Sequence, residues 1–203
     1  KWEGFKAIMK EYDVPDWYIK SCEKIKYMFP KAHAAAYVTN AFRIAWFKVH
    51  IPLAYYAAYY TIRAKAFDAS VMINGKEKVK NKMKEIDMMG NNATPKDKDM
   101  YDDLEIVLEM YERGFKFLPI DLYKSHATKF LVEGDSLRPP LNSIAGLGTV
   151  AAESIMKARD EEKFMSIDDM KIRAKIGESV TEFLREFGCL EGMSQSNQLS
   201  LFG

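Results

Sequence analysis

Lys31 and His33 stand two residues apart directly after Pro30, in the run Phe29-Pro30-Lys31-Ala32-His33-Ala34-Ala35-Ala36-Tyr37. A proline that opens a helix costs little, because the N–H it lacks is one the first turn leaves unpaired anyway. The unpaired N–H groups, the positive end of the helix dipole and two basic side chains then converge on one place, which suits an anion such as phosphate. Ala34, Ala35 and Ala36 favour helix and keep the approach bare. Tyr27 and Phe29 precede this helix, and Tyr37 follows His33 by four residues and so shares its face. A flat ring beside a phosphate cradle suits a nucleotide, although aromatics at this spacing also fit a core.

A second chemistry-bearing stretch is Ile144-Ala145-Gly146-Leu147-Gly148-Thr149, a tight turn between two helical segments, the later one running from Val150 to Ala158. It resembles the helix-hairpin-helix motif. Glycines let a backbone turn sharply and bring its N–H groups against a phosphate with no Cβ in the way. Such contacts read no bases, and Lys157 and Arg159 add charge that attracts a duplex without sequence preference. Lys175-Ile176-Gly177-Glu178 forms a degenerate second copy ahead of Val180, Phe183, Leu184 and Phe187. Lys175 replaces its first glycine and Glu178 would repel phosphate. The first hairpin is therefore expected to touch DNA, through Gly146, Leu147, Gly148 and Thr149, and the second to be mainly structural.

Other chemistry is missing. Nucleotidyl transfer needs preorganised carboxylates around two magnesium ions, yet Asp102-Asp103 and Asp168-Asp169 are neighbours within helices and point apart. Cys22 and Cys189 are the only cysteines, with no CxxC or Cys/His cluster for zinc or a disulfide framework, which fits a reducing cytoplasm. His126 lacks the partners of a triad or a metal site. Thirty basic and 29 acidic residues nearly cancel, so a nucleic-acid surface must be a local patch. With 48% apolar residues the chain can build real cores, and no run approaches the ~20 apolar residues of a membrane span.

The elements that must position these residues are mostly helical. One helix is predicted from Trp2 to Lys10 and another from Pro15 towards Lys26, presenting Trp17, Ile19, Cys22 and Ile25. The central helix runs from Lys31 to about His50, with Val38, Ala41, Phe42, Ala45, Trp46 and Val49 spaced as one buried stripe. His33, Tyr37 and Asn40 fall on another side, with Arg43 near enough for a phosphate. A tyrosine-rich helix (Tyr55, Tyr56, Tyr59, Tyr60) is expected to pack on the central helix, and a lysine-rich amphipathic helix is expected from Phe67 to Met89. Gly90-Asn91-Asn92-Ala93 is the clearest break in composition and is read as a domain boundary. Thr94, Pro95 and Asp97 then start a new helix. Phe115–Leu118 and Thr128–Val132 are strand candidates, expected to pair as a small sheet.

The run from Tyr27 to Val38 closely resembles the fingers of bacterial replicative DNA polymerase III alpha subunits. The resemblance, to the PolC type, extends over Cys22 to Tyr37, Ala45 to Ala58, Leu118 to Phe130, the Gly146 hairpin and the ending Asn197 to Phe202. It implies a mainly α chain with a small β element: fingers over residues 1–93, then a duplex-binding domain with tandem helix-hairpin-helix units over 94–190, and a flexible tail over 191–203. It also implies a carboxyl-terminal fragment, with which the opening Lys1 is consistent. The implied reaction is template-directed addition of a deoxynucleotide to a primer. In it Lys31 and His33 bind the incoming triphosphate, Tyr27 or Phe29 contacts its base or sugar, and Tyr37 lies alongside. The magnesium-binding palm carboxylates lie upstream, so this piece is expected to be inactive alone.

At the end of the chain, Gln198-Leu199-Ser200-Leu201-Phe202 resembles the pentapeptide by which bacterial polymerases grip the ring-shaped sliding clamp. Gln198 would hydrogen-bond while Leu201 and Phe202 fill an apolar pocket. The implied partners are primer-template DNA, an incoming dNTP and the clamp, with no membrane. Two other readings stand beside this one: an independent, non-catalytic helix-hairpin-helix module, and the related DnaE type of polymerase III alpha, which the short ending disfavours.

Overall fold

The computed structural model describes residues 1–24 and 30–196. The chain divides into two compact units, Lys1–Trp46 and Phe47–Gly203.

In the first unit, α1 (Trp2–Glu11) and α2 (Asp16–Lys24) form an antiparallel pair across a turn in which Asp13 adopts a positive φ of 52°. Asp tolerates that conformation because its short polar side chain bonds locally. Ile19 is the residue of α2 that is buried, while Trp17 lies exposed. Glu23 ties the pair together, accepting from Trp2 Nε1 at 3.4 Å and pairing with Lys6.

The long helix α3 (Lys31–His50) begins as expected, but it buries none of its residues. Val38, Phe42, Trp46 and Val49, expected as core, are all at least half exposed. Their spacing does make one apolar stripe, which stands largely exposed among the described residues.

The second unit contains α4 (Pro52–Ile62), α5 (Ala69–Met72), α6 (Lys76–Met89), α7 (Pro95–Glu112), strands β1 (Lys116–Phe117), β2 (Leu131–Glu133) and β3 (Ser136–Arg138), and then α8 (Thr149–Glu161), α9 (Ile167–Ala174) and α10 (Glu178–Glu186). The helix expected over Phe67–Met89 is two, because Gly75, at φ 95°, interrupts it and caps α6. The Gly90–Asn92 turn does not separate two cores. Val79 and Ile86 of α6 share one with Leu104, Val107 and Met110 of α7. The start of α7 is as expected, with Thr94 Oγ1 accepting from Asp97 N at 3.2 Å and Asp97 Oδ2 accepting from Thr94 N at 2.9 Å. A cap of this kind contributes about 1 kcal/mol.

Tyr56 and Tyr60 of α4 are buried in this core, while Tyr55 lies under Lys48 of α3, whose Nζ is 5.2 Å from its centroid. The ring of Tyr60 lies 5.3–5.5 Å from those of Phe67, Phe117 and Phe130, and its hydroxyl donates to Met110 Sδ at 3.9 Å. Edge-to-face and tilted pairs of this kind add about 0.5–1.5 kcal/mol each beyond burial. The two expected strand segments do not pair directly. The sheet order is β1-β3-β2, with β1 parallel to β3 (Phe117 opposite Leu137) and β2 antiparallel to it (Val132 opposite Leu137). Arg138 locks the sheet: its fork bonds both Glu133 oxygens at 2.5 and 2.7 Å, and Nη1 reaches the Pro119 carbonyl at 2.6 Å.

A second core lies under α8, α9 and α10, with Ile144, Leu147, Ile155, Met170 and Leu184 buried in it. Ser154 Oγ donates to the Ala174 carbonyl at 2.6 Å, so α9 runs back along α8 from its end to its middle and the two are antiparallel. The segment after residue 190 was expected to be a mobile arm, but it is fixed as far as Gln195. Ile167 N donates to the Ser194 carbonyl at 2.9 Å, Asp168 N to the Gln195 carbonyl at 3.1 Å, and Gln195 Nε2 to Asp168 Oδ1 at 3.1 Å. The tail backbone thus satisfies N–H groups that the start of α9 would otherwise leave unpaired.

Candidate nucleotide and duplex contact sites

Pro30 stands immediately ahead of α3, its carbonyl accepting from Ala34 N at 3.1 Å. The N–H groups of Lys31, Ala32 and His33 therefore head the helix at the positive end of its dipole. Lys31, His33 and Tyr37 are all exposed, and the His33 and Tyr37 rings meet edge-on with centroids 4.4 Å apart. The four-residue spacing does bring imidazole and phenol together on one face, where they form a small wall beside the N–H groups. Asn40 and Arg43 are exposed further along the same helix. Tyr27 and Phe29, the two aromatics expected to meet a base or sugar, lie outside the described residues, as do Gln198, Leu199, Ser200, Leu201 and Phe202.

The first glycine turn has a different entry from the expected one. A single 3-10 turn, Leu141–Ser143, stands where a leading helix was expected, and Leu147 N bonds the Ile144 carbonyl at 3.0 Å. Its two glycines then do different jobs. Gly146 sits at φ 88°, and a Cβ there would lie 2.3 Å from Phe183 Cε2 on α10, so the turn and the packing behind it both demand glycine. Gly148, the N-cap of α8, has an ordinary φ of −70°, and a Cβ there would meet open space. Among the described residues nothing requires glycine at 148, whereas a phosphate brought against the α8 N–H groups would. Thr149 is exposed and accepts from Asn142 Nδ2 at 3.3 Å; Leu147 points inward as an anchor and is 3% exposed.

The two basic residues of α8 separate. Lys157 is exposed. The Arg159 side chain is 7% exposed and donates to the Leu122 carbonyl, so it serves the fold and is removed from the set of phosphate contacts. Nothing in the sequence marked it as inward-facing.

In the second turn Lys175 takes a positive φ (54°) where the first turn has Gly146 (φ 88°), Ile176 is buried like Leu147, and Gly177 caps α10 as Gly148 caps α8. The repeat is thus real in backbone as well as in sequence. Glu178 pairs with Lys171 at 2.5 Å, which holds its carboxyl below the usual range.

Asp103, Asp168, Asp169 and His126 serve the fold. Asp103 is buried, accepting from Lys65 N at 3.0 Å, Ala66 N at 2.8 Å and the Tyr59 hydroxyl at 3.2 Å; burial pushes its carboxyl up, and burial, with the Asp103 charge beside it, pushes the Tyr59 hydroxyl up to about 12. Asp169 Oδ2 accepts from Met165 N, and Asp168 holds the tail. His126 Nδ1 accepts from Thr128 N at 3.0 Å and Lys129 N at 3.1 Å. Among the described residues no group of three or more His, Cys, Asp or Glu could hold a metal ion, and no helix is long and apolar enough to cross a membrane.

Residues 114–199, which contain both glycine turns, match the family model described as the helix-hairpin-helix motif. The chain as a whole is similar to proteins named DNA polymerase III PolC-type. It is 58% identical to the one from Oceanobacillus iheyensis over 194 residues, 55% to that of Bacillus subtilis over 194, and 54% to that of Clostridium perfringens over 201. These matches cover 96–99% of the chain, which spans about 14% of the length of each relative.

Proposed function

We propose, from its similarity over nearly its whole length to DNA polymerase III PolC-type proteins, that this chain is the part of a replicative, DNA-directed DNA polymerase that meets the incoming nucleotide, the duplex and the sliding clamp. The reaction served is attack of a primer 3′-hydroxyl on the α-phosphorus of a dNTP, with pyrophosphate leaving. The head of α3 takes the triphosphate: its N–H groups and Lys31 neutralise phosphate charge, His33 donates to a phosphate oxygen, and the His33–Tyr37 pair, with Tyr27 or Phe29, flanks the sugar or base. Deprotonation of the primer and the magnesium ions with the carboxylates that would hold them are expected in other parts of the polymerase. The 203-residue chain is accordingly expected to be inactive alone. The Gly148–Thr149 start of α8 receives a backbone phosphate of the product duplex and Lys157 adds long-range attraction, both without reading sequence. Gln198–Phe202 docks on the clamp. The compartment is the bacterial cytoplasm.

The observation that carries the nucleotide reading is the convergence of Lys31, His33 and the leading N–H groups at the positive end of an exposed helix. Steady-state primer extension by the full-length polymerase tests it. Lys31→Ala and His33→Ala should each lower kcat/KM for dNTP by an amount equivalent to about 1.5–3 kcal/mol while leaving the duplex Kd alone. Unchanged kcat/KM in both variants would refute the assignment.

A further inference from the structure

The two hairpin turns share a side-chain bridge as well as a backbone. In the first, Asn142 Nδ2 donates to Thr149 Oγ1 at 3.3 Å; in the second, Lys171 Nζ donates to Glu178 Oε2 at 2.5 Å. Asn142 stands four residues before Gly146 and Lys171 four before Lys175, while Thr149 and Glu178 each follow the glycine that caps the next helix. Both bridges therefore span seven residues and join the element ahead of the turn to the first residue of the helix behind it. The frame is the same, and the chemistry it carries is not.

A threonine hydroxyl has one hydrogen to donate and lone pairs with which to accept. Because Asn142 occupies a lone pair of Thr149, the hydroxyl hydrogen is turned away from the bridge. Phosphate oxygens accept, so this hydrogen is the group they call for beside the leading N–H groups of α8, and a bond of that kind to a charged oxygen is a strong one. Gly148 leaves the approach open. In the same place of the second turn, the Glu178 carboxylate accepts from Lys171 and has no hydrogen to give. Asn142 is itself held: its N–H donates to the Ala127 carbonyl at 3.1 Å and that of Leu141 to the His126 carbonyl at 2.9 Å. Ser143 Oγ closes the 3-10 turn on the Pro140 carbonyl at 2.6 Å.

We infer that Asn142 is a positioning residue for the duplex: it holds the Thr149 hydroxyl as a donor to the backbone phosphate received at the start of α8. The inference rests on the duplex reading above. The contact reads no base, so its loss weakens duplexes of every sequence alike.

The test is a fluorescence titration of the full-length polymerase with duplexes of several sequences, with thermal melting of the same protein as a check on folding. Thr149→Val should raise the duplex Kd by about 10-fold or more, and Asn142→Ala by about 3- to 10-fold. The double variant should bind no more weakly than Thr149→Val alone, because the amide acts only through the hydroxyl. Asn142→Asp keeps the size but accepts the Thr149 hydrogen, and should bind more weakly than Asn142→Ala. Asn142→Lys/Thr149→Glu builds the bridge of the second turn into the first, and should melt normally while losing about 10-fold or more in affinity. A normal Kd in Asn142→Ala, losses that add in the double variant, or parent-like binding by Asn142→Asp would overturn the inference. So would a normal Kd in Thr149→Val while Gly148→Ala binds poorly. Normal binding by both Thr149→Val and Gly148→Ala would instead overturn the duplex reading beneath it.

Discussion

The edge of the Phe183 ring lies against the α-carbon of Gly146 so closely that a methyl group there would stand 2.3 Å from Cε2. An aromatic from the second hairpin helix is therefore the floor of the first glycine turn, and the two copies of the motif fold as one object. Gly148, two residues on, touches nothing of the kind.

From this contrast the two glycines should respond oppositely to one added methyl. Gly146→Ala forces a non-glycine residue to a positive φ and drives Cβ into a ring, and should cost roughly 2–4 kcal/mol in urea unfolding. Gly148→Ala should change stability by less than about 0.5 kcal/mol. It should nonetheless weaken duplex binding in a fluorescence titration, equally for duplexes of different sequence. Normal binding by folded Gly148→Ala would remove this turn from the duplex contact.

Lys157 and Arg159 supply a second contrast, in charge. Lys157→Gln should leave stability alone and reduce the slope of log K against log salt by about 1. Arg159→Gln strips the Leu122 carbonyl of a buried donor and should cost about 1–3 kcal/mol of stability with the salt slope unaltered. A change of slope in Arg159→Gln at normal stability would put its guanidinium back among the phosphate contacts.

His126 gives the chain an acid-side weakness. Burial, with Lys129 and Arg159 nearby, holds its pKa below the ordinary value, and its Nδ1 accepts two backbone bonds that a protonated ring cannot accept. The folded-state pKa is depressed, so this contribution is complete above the unfolded value of about 6.5. It is lost as pH falls, because the unfolded chain then takes up a proton that the folded chain resists. His126→Asn keeps a side-chain acceptor without a titration. Urea midpoints between pH 7.5 and 5.5 should fall more steeply for the parent chain than for this variant, and parallel curves would contradict the account.

For the tail, a peptide spanning Ser194–Gly203 should bind a purified sliding clamp in calorimetry with a Kd of about micromolar. Burying two apolar side chains contributes roughly 1.5–3 kcal/mol each, less the entropy of ordering the segment. Leu201→Ala/Phe202→Ala should abolish the heat. An unaltered Kd in the double variant would refute the clamp assignment.

Sequence signals read well here wherever one local pattern decides the structure. Thr94, Pro95 and Asp97 announce α7 because capping is a matter of neighbouring residues, and the Gly146–Gly148 turn is legible for the same reason. Features set by distant partners were not legible. β3 has three residues, and only pairing with β1 and β2 makes Ser136–Arg138 a strand. Arg159 reads as a surface charge until the Leu122 carbonyl is placed beside it. The stripe on α3 was correctly spaced, but periodicity shows that a face is apolar and says nothing of what covers it. Lys175 in a left-handed conformation overrides the expectation that its place needed glycine. The tail is pinned by main-chain bonds, which leave little mark in side-chain pattern.

That pinning turns a leash into a bracket. With Ser194 and Gln195 fixed on the first turn of α9, only Ser196 and Asn197 separate the last anchored residue from Gln198, and a span that short reaches about 10 Å at most. Because α8 and α9 run antiparallel, the bracket projects from the end of the pair opposite Gly148. The distance between them is set by the 13 residues of α8, or about 20 Å. On the reading proposed above, a ring held by Gln198–Phe202 would then stay within about 30 Å of a duplex phosphate held at Gly148, with α8 setting most of that span.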